Sequence, residues 1–363
     1  MKMKSKKDSQ RKIKELGEKL LEEIEKGENP YLDIPIRSLS NINFNLEKQV
    51  LEIGDSSSKR YFFNVAHIRK FVQTLEVAAL AKELIEVDKH LSLRQVFYAL
   101  RKTLPGTNID VVDEQKESND AIEDLEVIAR LSREQLHVNA SKNGAAAGKI
   151  IIEDKGDTIN WGKLGSGGWA IPSNTEDIKF KKVDAKFIIY MEKAAMWERL
   201  NEDRVWDKMN CVIIASQGQA TRGIRRLLKR LNEEHNLPIY VMTDFDPWGF
   251  YIYSVLKFGS ISLAHLSDKL AIPNAKFLGL TGEDIKNYKL EKQKIKFKKV
   301  DLKRLNQLKE YEWFVDKKEW QKQFKLMKEA GGKVELDALI TRGISFVSET
   351  YLPEKIKNKD WIE

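Results

Sequence analysis

The pattern of hydrophobic and polar positions changes near residue 183. Beyond it, short apolar runs such as "FIIYM", "CVIIAS" and "PIYVM" alternate with amphipathic stretches of helical period. Apolar strands that alternate with helices are typical of a parallel sheet covered by helices on both faces. The pattern therefore predicts an α/β domain over residues 183–363, with a mainly parallel sheet flanked by helices and a helical C-terminal extension.

The first half of the chain follows a different pattern. Residues 1–65 predict a surface helix and then a hairpin or arm, a region suited to docking on a partner. Residues 66–162 predict several helices and then two short strands, which is the order of a winged-helix (CAP-like) domain. The run "GSGGWAIP" predicts a Gly-rich linker over residues 163–182. The predicted fold class is thus α+β followed by α/β.

The net charge indicates a class of partner, and the cysteine content indicates a cellular compartment. The chain has 63 Lys and Arg against 55 Asp and Glu, a net charge of +8, which favours a polyanion such as nucleic acid. The single cysteine, Cys211, cannot form an internal disulfide, so we expect a reducing compartment. The expected location is cytoplasmic and, given the basic charge, nucleoid-associated. No apolar run is long enough to predict a membrane span.

The stretch "SLRQVFYALRK", residues 92–102, predicts a short amphipathic helix with a tyrosine beside its apolar stripe. The stripe assigns Phe97 to the core, and Tyr98 lies about 100° round the helix from it. Three cations are expected at i−4, i+3 and i+4 from the tyrosine: Arg94, Arg101 and Lys102. A phenol attacks phosphate only when cations or a base stabilise its anion, so the helix predicts either a nucleophile or an exposed tyrosine on a basic face.

Carboxylates follow two of the predicted strands. Glu192 comes directly after "FIIYM", and Asp244 and Asp246 lie in "TDFDPWG" after "PIYVM". Taken singly, each is explained as a turn or cap residue, and Asp246 before Pro247 is a typical helix start. Taken together at the carboxyl ends of neighbouring strands, they form a cluster of hard oxygens that suits one or two Mg²⁺ ions.

No ATP motif is present. The run "NGAAAGKI" at 143–150 lacks the glycine spacing and the Ser or Thr of a P-loop, and predicts a tight turn before a strand. Any dependence on ATP must therefore come from a second protein. Arg222, at the start of a helix after the "SQGQ" turn, is suited to phosphate. The candidate DNA contacts are Arg101, Lys102, Lys142 and Arg222.

These motifs, in this order, resemble the family formed by the A subunits of DNA topoisomerase VI and the meiotic double-strand-break transesterases. "SLRQVFYALR" resembles the tyrosine motif of that family, and the Glu and Asp-x-Asp positions resemble its Toprim domain. "GSGGWAIP", "SQGQ" and "KVELDAL" also resemble family segments, and the likeness runs from about residue 60 to the C-terminus. In two departures, Phe97 replaces a common first tyrosine, and Ala220-Thr221 replace a common Pro-Asp.

The resemblance implies the cleavage component of a type IIB topoisomerase of archaeal kind that acts on double-stranded DNA. It implies that Tyr98 forms a 5′-phosphotyrosyl link, that Arg94 stabilises charge, and that a carboxylate set binds Mg²⁺: Glu192, Asp244 and Asp246. It further implies a homodimer in which the tyrosine of one protomer faces the metal of the other. A GHKL-type ATPase B subunit would bind ATP and complete an A2B2 heterotetramer.

Three alternatives stay open. A transesterase of the meiotic kind would break DNA without strand passage, and the difference lies in its partner. A Toprim nuclease would hydrolyse DNA with metal and water, but then the cationic helix around Tyr98 has no use. A non-catalytic DNA-binding protein would gain nothing from carboxylates at adjacent strand ends, since they repel DNA.

Overall fold

The computed structural model describes residues 2–363, with side chains from residue 6 onward; Met1 lies outside the described residues. The helices are α1 Lys2–Glu25, α2 Ile68–Glu86, α3 Leu93–Leu100, α4 Gln115–Ala129, α5 Ala194–Glu202, α6 Val205–Lys208, α7 Arg222–His235, α8 Pro247–Phe258, α9 Ser267–Leu270, α10 Gly282–Asn287, α11 Lys299–Glu310, α12 Glu312–Val315, α13 Lys318–Ala330 and α14 Leu352–Asn358. In the described part of the chain, no helix is both long and apolar enough to cross a bilayer.

Most strands are short. They are β1 Tyr31–Pro35, β2 Ile42–Asn45, β3 Val50–Ile53, β4 Ser57–Tyr61, β5 Leu91–Ser92, β6 Val138–Asn139, β7 Ala145–Gly148, β8 Ile150–Asp154, β9 Asp157–Asn160, β10 Trp169–Ala170, β11 Lys179–Val183, β12 Ile188–Met191, β13 Val212–Ala215, β14 Ile239–Met242, β15 Lys276–Gly279, β16 Ile295–Lys296 and β17 Gly332–Lys333. The predicted alternation of strand and helix after residue 183 is confirmed over β12 to α8.

The chain divides into two compact units. The first holds the chain up to Asn43, Glu52–Ser141 and Ile261–Leu266, and the second holds Phe44–Leu51, Lys142–Ser260 and Ser267–Glu363. In the first unit, α1 to α4 enclose an apolar core. The arm predicted before residue 65 contributes an antiparallel pair, β1 with β4.

The second unit is built on a six-stranded sheet in the order β10-β7-β13-β12-β14-β15. Strands β13, β12, β14 and β15 are parallel. Every residue of β12, β13 and β14 is buried, because helices cover both faces of a parallel sheet. The prediction of a mainly parallel sheet is therefore confirmed for this unit.

The prediction that the run "NGAAAGKI" forms a tight turn is wrong. Its residues Ala145–Gly148 form β7, which pairs antiparallel with β13 from Ala145 opposite Ala215 to Gly148 opposite Val212. A side chain at Gly148 would lie 2.9 Å from the Cys211 carbonyl oxygen. Small residues are poor strand formers in isolation, but here they let β7 approach β13 closely.

The hairpin predicted as a wing exists but lies in the second unit. Strands β8 and β9 pair antiparallel, and β8 also pairs with β11 to make a three-stranded sheet. The Gly-rich segment after it is folded, which corrects the prediction of a linker. Trp169 in that segment is buried and stacks on Trp161 at 4.8 Å between ring centroids, because burying a large aromatic outweighs the flexibility of the glycines. The winged helix stays a prediction for the first unit.

Candidate functional site

The tyrosine helix α3 is defined by its own sequence. The Ser92 hydroxyl accepts a hydrogen bond from the Gln95 amide at 3.2 Å, and the Gln95 side chain accepts one from the Ser92 amide at 2.8 Å. This capping box starts the helix where predicted. Phe97 is buried as the apolar stripe predicted, whereas Tyr98 is 56% exposed. A bulky, exposed phenol on a well-capped helix can reach a macromolecular ligand.

Arg94 contacts the phenol directly. Its Nη2 donates a hydrogen bond to the Tyr98 hydroxyl at 3.1 Å, and its guanidinium carbon lies 5.0 Å from the centre of the tyrosine ring. Its Nη1 donates to Gln115 Oε1 at 2.8 Å, so the neighbouring helix α4 orients the guanidinium. A fixed cation at this distance stabilises negative charge on the phenol oxygen.

The other predicted DNA contacts are placed differently. Helix α3 ends at Leu100, earlier than predicted, because the chain turns into a loop in which the Val111 amide donates to the Lys102 carbonyl. Arg101 and Lys102 are therefore not helical neighbours of Tyr98, and the Lys102 ammonium pairs with Glu76 at 2.8 Å. Arg101 is exposed.

The two remaining candidate DNA contacts belong to the second unit. Lys142 is exposed and precedes β7, so its ammonium is available to a ligand. Arg222 is the first residue of α7 as predicted, but its side chain is buried. A buried guanidinium is a weaker candidate for a surface contact with DNA than an exposed ammonium.

The predicted carboxylates follow two neighbouring strands. Glu192 is the first residue after β12, and Asp244 lies two residues beyond the end of β14. These strands are paired in parallel with Met191 opposite Met242, and the Glu192 amide continues the pairing by donating to the Met242 carbonyl at 3.4 Å. The sheet therefore brings the carboxylates to one edge, as expected for parallel strands.

The protonation of these carboxylates is perturbed. Burial, with the charges of Asp244 and Asp246 adding to it, raises the pKa of Glu192 to about 7. Burial also raises the pKa of Asp246 to about 6, although the Gly249 amide opposes the shift. The pKa of Asp244 is raised by burial against a hydrogen bond from Leu336. Buried carboxylates that also repel one another are typical of a site that binds a cation.

Each aspartate has one oxygen held by the backbone and one facing a lysine. Asp244 Oδ1 accepts from the Leu336 amide at 2.7 Å, and its Oδ2 lies 3.3 Å from the Lys193 ammonium. Asp246 Oδ1 accepts from the Gly249 amide at 2.5 Å, which confirms it as the cap of α8, and its Oδ2 lies 3.9 Å from the Lys333 ammonium. The Oδ2 atoms are thus the ones directed at cations.

Part of this site was not predicted from the sequence. Lys193, Lys333, Glu335 and Asp337 all lie at the carboxylate edge. In the sequence, the run "KVELDAL" is identified only as a family segment. Its alternating charges could have indicated that Glu335 and Asp337 lie at the site. Lys193, next to Glu192, had a similar signal, that of a charge at a strand end.

The donor set fits Mg²⁺. This ion prefers carboxylate oxygens and binds through one or two of them while keeping several waters. Among residues 6–363, no three His, Cys, Asp or Glu side chains converge as a complete ligand set. A Mg²⁺ ion held by Glu192, Asp244 and Asp246 would therefore need water or phosphate oxygens for its remaining positions.

Three protein-family models match the chain. One describes a type IIB DNA topoisomerase and matches residues 69–138, and a second describes the all-beta domain of the DNA topoisomerase VI alpha subunit and matches 142–184. The third describes the Toprim domain of topoisomerase 6 A subunits and Spo11 and matches 187–356. The second match covers the hairpin and the folded Gly-rich segment. The chain belongs to the family of topoisomerase VI A subunits.

Relatives in the family match over almost their whole length. The chain is 46% identical to the A subunit of type 2 DNA topoisomerase 6 from Pyrococcus abyssi, with 96% of this chain and 93% of that one covered. It is 38% identical to the A subunits from Hyperthermus butylicus and Methanocaldococcus jannaschii, with 97% and 98% of this chain and 95% and 96% of theirs covered. These matches confirm the family resemblance found in the sequence and the Toprim domain. They also confirm the enzyme class, which is a type II DNA topoisomerase.

Proposed function

We propose that this chain carries out DNA cleavage and religation in a type IIB topoisomerase. The observation that carries the proposal is the hydrogen bond from Arg94 to the exposed Tyr98 hydroxyl on a helix of the family's tyrosine motif. The Toprim carboxylates support it, because their raised pKa values mark a site that gains from a cation.

In the proposed reaction, the Tyr98 oxygen attacks a phosphorus of the DNA backbone and loses its proton to water. The bond from phosphorus to the 3′ oxygen breaks, and that oxygen takes a proton from water to become a 3′ hydroxyl. Arg94 holds the phenol oxygen and stabilises the charge that develops on it. One phosphodiester replaces another, so the reverse attack by the 3′ hydroxyl reseals the strand without an added energy source.

The carboxylates Glu192, Asp244 and Asp246 would hold Mg²⁺, whose chemistry is to withdraw negative charge from phosphate oxygens. The protein residues around them keep two oxygens, one on each aspartate, turned toward cations. The exposed cations Arg101 and Lys142 are proposed to contact the DNA backbone. Lys102 would first have to leave Glu76 to do so, and Arg222 would have to become exposed.

The proposal includes the family's assembly. Two copies of this chain would pair, with the tyrosine of one serving the Toprim carboxylates of the other, and a GHKL-type B subunit would supply ATP hydrolysis. The absence of a P-loop from this sequence is consistent with that division of labour. Double-stranded DNA in the nucleoid would be the substrate.

Trapping of a covalent adduct tests this function. The chain is incubated with supercoiled DNA, Mg²⁺, ATP and a B subunit, then denatured, and the adduct is mapped by mass spectrometry. We expect DNA on Tyr98, ATP-dependent relaxation, and loss of both in Tyr98→Phe, whereas the control Tyr61→Phe behaves as the wild type. An adduct without relaxation would indicate the break-forming relative, and cleavage that survives Tyr98→Phe would indicate a hydrolytic nuclease.

A further inference from the structure

The Lys193 ammonium lies among three carboxylates at the edge of the second unit's sheet. It is 2.8 Å from Glu335 Oε2, 2.8 Å from Asp337 Oδ2 and 3.3 Å from Asp244 Oδ2. The lysine side chain is 23% exposed. The ammonium donates hydrogen bonds to both Glu335 and Asp337, so carboxylates surround it.

The backbone brings Glu335 and Asp337 to this position. Phe245 and Val334 exchange both of their amide hydrogen bonds, at 2.9 and 3.1 Å, as an antiparallel bridge. The Leu336 amide then reaches Asp244 Oδ1. Residues 333–337 thus run beside residues 244–246 in a fixed register, which places the two carboxylates next to Lys193 rather than leaving them free in solvent.

We propose that Lys193 is a positioning residue that regulates access of Mg²⁺ to Asp244. Its ammonium pairs with Asp244 Oδ2, the oxygen that the Leu336 amide does not hold, and so competes with a cation for this carboxylate. Glu335 and Asp337 provide the second place for this ammonium, so that it can leave Asp244 when Mg²⁺ binds without becoming unpaired. The inference rests on the proposed function, because it takes Asp244 as a metal ligand.

This arrangement predicts effects of opposite sign on metal affinity. Removing the ammonium with Lys193→Met frees Asp244 and removes a repelling charge, so divalent metal binds more tightly, by about tenfold. The double substitution E335Q/D337N leaves the ammonium with Asp244 as its remaining carboxylate partner, so metal binds more weakly by a similar factor. Lys193→Arg keeps the charge and is expected within about threefold of the wild type.

Binding of Mn²⁺ to the full chain without DNA measures these effects. The free ion is followed by electron paramagnetic resonance, so the readout does not depend on cleavage. Lys149→Met is the matched control, because Lys149 pairs with Asp207 at 3.0 Å in the same unit. We expect the control to bind as the wild type does. In the Lys193→Met background, E335Q/D337N should lose most of its effect, because the two carboxylates act through the ammonium.

The outcomes separate this inference from the proposed function. Asp244→Asn is measured in parallel: if it leaves Mn²⁺ binding unchanged, the metal site itself is wrongly assigned. If Asp244→Asn abolishes binding but Lys193→Met weakens binding or leaves it unchanged, the metal site stands and the role of Lys193 is overturned. Melting temperatures of all variants identify any loss of fold, and the E335Q/D337N arm then decides independently.

Discussion

The tyrosine helix and the carboxylate edge are built in opposite ways. In α3, the residues that start the helix, bury it and present Tyr98 lie within one short stretch, and the phenol is 56% exposed. At the edge of the sheet, the Asp244 side chain is 12% exposed and is held by Leu336, which is 92 positions away in the chain. The proposed nucleophile has to be exposed to attack a polymer, whereas carboxylates that repel one another have to be held in place by several segments of the chain.

The difference extends to electrostatics. Arg94 already compensates the charge that Tyr98 would develop. The carboxylates are only partly compensated, and burial and mutual repulsion raise the pKa values of Glu192 and Asp246. Stored repulsion of this kind is released when a cation binds. The charge proposed for Tyr98 is thus compensated by the protein alone, whereas the carboxylates would be compensated by a bound cation.

The largest expected effect separates charge from capping at Asp246. Asp246→Asn keeps an oxygen for the Gly249 amide but removes the charge, so DNA cleavage should fall by about 1000-fold while the fold is retained. Asp246→Ala should lose as much activity and, in addition, ~1 kcal/mol in the free energy of unfolding, which Asp246→Asn keeps. Adduct formation and urea unfolding measure the two effects. Full cleavage by the Asn variant would show that Asp246 is only a cap.

The part of this comparison that sequence could predict is the local part. Periodicity assigned Phe97 to the core and Tyr98 to the surface, and the pair Asp246-Pro247 predicted the start of α8. The apolar runs predicted the parallel strands that align Glu192 with the aspartates. All of these follow from neighbours along the chain, where helix and strand periods apply directly.

What sequence could not predict depends on contacts between distant segments. The pairing of Phe245 with Val334 brings Glu335 and Asp337 to Lys193, and no local pattern reports that register. Strand β7 was missed for a related reason, since its alanines form a strand only because β13 offers a partner. Tertiary contacts override weak local preference in both cases.

The next largest effect concerns the buried side of the tyrosine helix. Phe97→Ala should lower the free energy of unfolding by about 3 kcal/mol, because it removes a large side chain from the core of the first unit. Tyr98→Phe, one residue on, should leave stability unchanged because its hydroxyl is at the surface. Denaturant unfolding of both variants provides the test. Equal losses would contradict the division of the helix into a buried and a reactive face.

The pH dependence of stability sharpens the electrostatic half of the comparison. The pKa of Glu192 is raised to about 7 from an ordinary value near 4.5, so between these values the folded protein keeps a proton that the unfolded chain has lost. The contribution of protonated Glu192 to the stability of the folded protein is fully present below pH 4.5 and is lost as the pH rises through 7. Without metal, raising the pH from 5 to 8 should therefore destabilise the wild type relative to Glu192→Gln. The difference between their free energies of unfolding should change by about 1–2 kcal/mol, after allowance for partial solvation.

Thermal unfolding in the presence of a chelator measures this change. Glu198→Gln, a substitution of an exposed glutamate on α5, is the control and should show the pH profile of the wild type. Added Mg²⁺ should reduce the difference between Glu192→Gln and the wild type at pH 8, because a bound cation stabilises the ionised form of Glu192. If Glu192→Gln and the wild type show parallel pH profiles, the pKa of Glu192 is not raised in the folded protein and this prediction is wrong.

The smallest expected effect is at the start of the tyrosine helix. Ser92→Ala removes the acceptor for the Gln95 amide and should cost about 1 kcal/mol, whereas Ser92→Thr keeps the capping box and should cost little. Because α3 is short, the loss should fall on the helix itself and raise amide exchange at Tyr98 before it affects the second unit. Hydrogen exchange resolved by residue measures this. Uniform acceleration across both units would mean that the helix is not the locally specified element that its sequence indicates.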